Sequence, residues 1–81
     1  MMAKPQTAAE AYEANRHDTI VLVDLLKAEL DRHAERAAAK PRDWGFAGDL
    51  GSVRRRIIEV LASLSGRSEA SIEDQVADAQ K

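Results

Sequence analysis

Apolar and polar residues alternate along the first half of the chain with the period of an α-helix. The apolar stripe consists of Tyr12, Thr19, Val23, Leu26, Leu30, His33 and Ala37. Neither Gly nor Pro interrupts residues 7–39, and Thr7 with Glu10 fits a capping box at the start. Pro41 disfavours helix in the residue before it. The pattern predicts one long helix over 7–39, preceded by a flexible segment over 1–6.

A second run of apolar residues with helical spacing lies between Asp49 and Gly66. Asp49 suits the N-cap of this helix and Gly66 suits its end, which predicts a shorter helix over 49–65. Residues 68–81 have a thinner apolar pattern and form either a short helix or a tail. The chain is therefore predicted to be all-α, a single helical domain over 1–81 built on a hairpin of one long and one shorter helix.

The predicted turn over residues 40–48 contains Trp44 and Phe46, two of the three aromatic residues. One interpretation is that both side chains fold back as a plug over the open end of the hairpin, where each buries a large area. The other is that they form a solvent-facing recognition patch. The sequence alone leaves both open.

The segment Trp44-Gly45-Phe46-Ala47-Gly48-Asp49-Leu50 resembles a Trp-Gly-aromatic-x-Gly-Asp-Leu turn found before an apolar helix in small uncharacterised bacterial helical proteins. The resemblance covers about a dozen residues and their flanking helices. It implies a turn that recurs in a helical scaffold. It brings no activity, cofactor or catalytic residue with it.

The two predicted helices differ in length about twofold, so the shorter one covers only part of the longer one. Residues 20–26 are also apolar almost all round the helix, apart from Asp24. A second copy of the chain would cover both regions by forming a four-helix bundle, and a short chain gains stability from such an association. The candidate interaction residues are Trp44, Phe46, Tyr12, Ile20, Val21 and Leu25.

Charge is nearly balanced, with 12 basic and 14 acidic residues, so the net charge of −2 gives no general attraction to nucleic acid or to a membrane. The middle of the chain is locally basic, because residues 32–56 carry seven basic and three acidic side chains. An alternative function is therefore a small regulatory nucleic-acid-binding protein. Its candidate phosphate contacts are Arg42, Arg54, Arg55 and Arg56.

Catalytic chemistry finds little support in the residue types present. His17 and His33 are separated by about 24 Å along one helix and cannot share an ion or a proton within one chain. The absence of cysteine removes thiolate sites and disulfides, and the lack of a long apolar run predicts a cytoplasmic location. We expect no catalytic residue, metal or cofactor. The leading hypothesis is a non-enzymatic interaction module that forms a homodimer or binds another protein, without a membrane partner.

Overall fold

The computed structural model describes residues 7–80, and within them the chain forms three helices and no strand. Helix α1 spans Ala8–Ala39, α2 spans Trp44–Ser65 and α3 spans Glu69–Ala79. The all-α prediction is confirmed. The flexible segment predicted over 1–6 lies outside the described residues. The chain divides into two compact units after Lys40, so that α1 belongs to the first unit and α2 and α3 belong to the second.

Helix α1 begins at a capping box, as its sequence predicts. The Thr7 hydroxyl accepts the backbone N–H of Glu10 at 3.1 Å, and the Glu10 carboxylate accepts the backbone N–H of Thr7 at 3.0 Å. Hydrogen bonding of the Glu10 carboxylate to Thr7, first to its backbone N–H and then to its hydroxyl, lowers the pKa of Glu10. At the other end, the N–H of Lys40 donates to the carbonyl of Ala37 at 3.0 Å. Local signals therefore define both ends of α1.

Helix α2 begins at Trp44, five residues before the predicted start. Asp43 is its N-cap, and the Asp43 carboxylate accepts the backbone N–H of Gly45 at 2.8 Å. The expected turn over 40–48 is thus mostly helix, and Asp49 lies within α2 instead of capping it. Glycines were interpreted as turn residues because they are poor helix formers, but the Asp43 cap and the apolar face beyond it outweigh that preference.

Helices α2 and α3 pack against each other in the second unit. Their connection is short because Gly66 ends α2 in the left-handed conformation, with φ of 73°, and Ser68 caps α3 by accepting the N–H of Ser71. Ile58 of α2 and Ile72 of α3 are the two buried side chains among the described residues. The C-terminal segment is therefore a helix that packs on α2.

Candidate interaction surfaces

A group of exposed apolar side chains lies on α1, which has no buried residue along its 32 positions. Between residues 20 and 25, five large apolar side chains are 44–61% exposed. They are Ile20, Val21, Leu22, Val23 and Leu25. At about 100° of rotation per residue, Val21, Leu22 and Leu25 share one side of the helix. This side does not include the stripe predicted to form the core.

The other predicted contact residues of α1 lie apart from that side. Ile20 is rotated about 100° from Val21, and Tyr12 lies on the predicted stripe with Val23. Tyr12 is 64% exposed and precedes Ile20 by about 12 Å along the helix axis. The structure therefore groups Val21 with Leu25 and leaves Tyr12 and Ile20 on other parts of α1.

Trp44 and Phe46 lie in the first turn of α2. They point to different sides of the helix, because residues two positions apart are rotated by about 200° from each other. Trp44 is 85% exposed, whereas Phe46 is half-buried. The interpretation of Trp44 as a buried plug is therefore wrong. Its indole lines a shallow cavity of about 150 Å³ with Pro41, Arg42, Asp43 and Ala47.

The arginines at positions 54–56 are partly engaged by neighbouring side chains. The guanidinium of Arg54 donates two hydrogen bonds to the carboxylate of Glu73 on α3, one of them at 2.9 Å. This hydrogen bonding lowers the pKa of Glu73 and raises that of Arg54. Arg56 donates to the hydroxyl of Ser52 at 3.2 Å. Successive helical positions also point about 100° apart, so the three arginines do not converge on one ligand.

An open groove of about 450 Å³ runs between α2 and α3 and was not predicted from the sequence. Its lining consists of Leu61, Ser65, Arg67, Ile72, Gln75, Val76 and Ala79. Its main polar group is already bonded, since the Arg67 guanidinium donates to the Ser71 hydroxyl at 2.9 Å and to the Gln75 amide at 2.6 Å. The spacing of Ile72, Val76 and Ala79 after the Ser68 cap indicates one apolar helix face. Because the sequence left open whether 68–81 is a helix or a tail, it did not predict a groove beside that face.

Residues 7–80 contain no group of three or more acidic or histidine side chains placed to hold a metal ion. None of the three helices combines the length and the apolar character needed to cross a membrane. Comparisons of the chain with protein-family models, with curated proteins and with solved structures find no match.

Proposed function

We propose that the protein is a non-enzymatic helical interaction module that acts as a homodimer through α1. One observation carries this proposal: α1 buries none of its residues, yet it exposes a group of large apolar side chains over residues 20–25. Contiguous apolar surface of this kind is typical of a protein–protein contact. A second copy of the chain offers the same surface and can cover it by two-fold symmetry.

The energetics of α1 favour an association. Most helical stability in proteins comes from packing of an apolar face, and helix propensity alone leaves an isolated helix marginal in water. Full burial of one Leu, Ile or Val side chain contributes about 1.5–3 kcal/mol relative to full exposure. The side chains over 20–25 are about half exposed, so each has roughly half of that contribution still to gain.

The dimer we propose is a four-helix bundle in which each chain supplies α1 and α2. In such bundles each helix packs against two neighbours and therefore has two apolar faces. Helix α1 has two such faces: the stripe that contains Val23, Leu26 and Leu30, and the side that contains Val21, Leu22 and Leu25. The second face supports the presence of a second chain.

Solution mass tests the proposal directly. We expect multi-angle light scattering at micromolar concentration to give twice the 8.9 kDa mass of the chain. Leu25→Glu places a charge in the proposed contact and is expected to give a helical monomer. Ala70→Glu is the matched control, because Ala70 is exposed and lies on α3, outside the proposed bundle. This control should remain dimeric.

A wild-type protein that is monomeric and cooperatively folded at these concentrations would contradict the proposal. A Leu25→Glu dimer with unchanged dissociation would move the contact away from residues 20–25. Circular dichroism of each variant separates loss of association from loss of helix.

A further inference from the structure

We infer that two copies of α1 pair in antiparallel orientation, with Leu25 of each chain at the two-fold axis. This inference rests on the proposed homodimer and adds its contact face and orientation. The contact face includes Ala14, Asp18, Val21, Leu22, Leu25, Glu29, Arg32 and Arg36, which fall within about 100° of arc on one side of α1. Apolar residues occupy positions 21–25 of this face, Asp18 precedes them, and Glu29, Arg32 and Arg36 follow them.

The charges on this face select the orientation. Asp18 lies seven residues before Leu25 and Arg32 lies seven residues after it, so each is about 10 Å from Leu25 along the axis. In an antiparallel pair centred on Leu25, Asp18 lies alongside the partner's Arg32, and the same ion pair forms twice. A parallel pair in register would place Asp18 beside the partner's Asp18 and Arg32 beside the partner's Arg32. Opposite charges thus favour the antiparallel pair, and like charges disfavour the parallel one.

The side chains needed for these ion pairs are accessible. Arg32 donates to Glu29 one turn earlier in the same helix, and the two side chains remain 58% and 59% exposed. A guanidinium carries five N–H donors, so the contact with Glu29 leaves donors for the partner's Asp18. Asp18 is exposed as well. The geometry requires no rearrangement of the helix backbone.

Two-fold symmetry explains why a second copy fits this face. An isologous contact requires that residue i meets residue j of the partner and that j meets i. Asp18 and Arg32 satisfy this requirement around Leu25, because each is seven residues from the centre. Antiparallel packing also brings the opposite ends of the two helix dipoles together.

Charge reversal tests the ion pairs. Asp18→Arg replaces two attractive pairs by two repulsive ones in the antiparallel dimer, and we expect the dissociation constant to rise about tenfold at low salt. The double variant Asp18→Arg with Arg32→Asp restores attraction and should recover most of the affinity. Asp24→Arg is the matched control, because it makes the same charge change on another side of α1 and should leave the dissociation constant within about twofold.

Cysteine cross-linking tests the orientation independently, because the chain has no native cysteine. Ala14 lies eleven residues before Leu25, and Arg36 lies eleven residues after it. On mixing Ala14→Cys with Arg36→Cys under mild oxidation, we expect the mixed disulfide to dominate over either homodisulfide. Intact mass distinguishes the three products.

The outcomes separate this inference from the proposed function. A dimer that forms the 14–14 and 36–36 disulfides would refute the antiparallel orientation and leave the homodimer in place. A double charge variant that stays as weak as Asp18→Arg would refute the ion pairs. A wild-type protein without any dimer would refute both proposals.

Discussion

Glycine has three different effects in the second unit. Gly66 has φ of 73° and ends α2 in the left-handed backbone conformation. Residues with a Cβ adopt this conformation only at a cost in free energy. Gly51 lies inside α2 with helical geometry, and a Cβ added there would meet no atom within 4 Å. Gly45 differs from both, because an added Cβ would approach the capping carboxylate of Asp43 at 3.0 Å. The same residue type therefore ends a helix, weakens one or makes room for a cap.

Alanine substitutions at two of these glycines are expected to change stability in opposite directions. Gly66→Ala forces a Cβ into the left-handed conformation and should lower the free energy of unfolding by about 1 kcal/mol. Gly51→Ala lowers the backbone entropy of the unfolded chain and should raise the free energy of unfolding by about 0.5–1 kcal/mol. Urea denaturation followed by circular dichroism measures both. Equal effects at the two positions would contradict the roles assigned to Gly66 and Gly51.

At the scale of the elements, the sequence predicts helix ends best where a residue type suited to capping marks the end. Thr7 with Glu10 and the Gly66 stop were both identified from local pattern, and each bonds as expected. The start of α2 was misplaced because Asp43 and Asp49 are equally good caps, and the glycines between them favoured the later one. Whether 68–81 is helix or tail depends on burial of Ile72 against α2, a tertiary contact that local pattern does not contain.

Helix α3 has 11 residues and depends on its packing against α2, since helices of this length are marginal alone. Ile72 is 4% exposed, so Ile72→Ala should destabilise the α2–α3 hairpin by about 2–4 kcal/mol and unfold α3 preferentially. Amide hydrogen exchange should show loss of protection over residues 69–79. Leu64→Ala, at a side chain that is 77% exposed, is the control and should leave that protection unchanged. Retained protection in Ile72→Ala would show that α3 does not depend on this side chain.

At the scale of the whole molecule, the candidate surfaces could be predicted only in part. Residues 20–26 stood out because they are apolar almost all round the helix, and residues 20–25 are exposed in the structure. Val21 and Leu25 were named as interaction residues from the sequence, but Asp18 and Arg32 on the same side of α1 were given no role. Arg54 was assigned a phosphate contact because sequence distance hides Glu73, which lies 19 residues away and pairs with it.

The alternative nucleic-acid function makes a distinct prediction for the whole protein. Arg54 and Arg56 already bond to Glu73 and Ser52. We therefore expect any binding to a generic duplex at physiological salt to be weak, with a dissociation constant of about 100 μM or more. Fluorescence anisotropy with labelled DNA and RNA at low and physiological salt measures this. Binding that is tight, falls steeply with salt and disappears in the triple Arg54→Ala, Arg55→Ala, Arg56→Ala variant would favour the alternative.

The short connection between α2 and α3 has a consequence for the order of assembly. Only residues 66–68 separate the two helices, so closing this hairpin costs little chain entropy and brings together residues that are near in sequence. Contacts of this kind form rapidly, and their rate does not depend on how many chains are present. Pairing of two α1 helices requires an encounter between molecules. We therefore expect refolding to show a fast phase independent of protein concentration, followed by a slower phase whose rate rises with it.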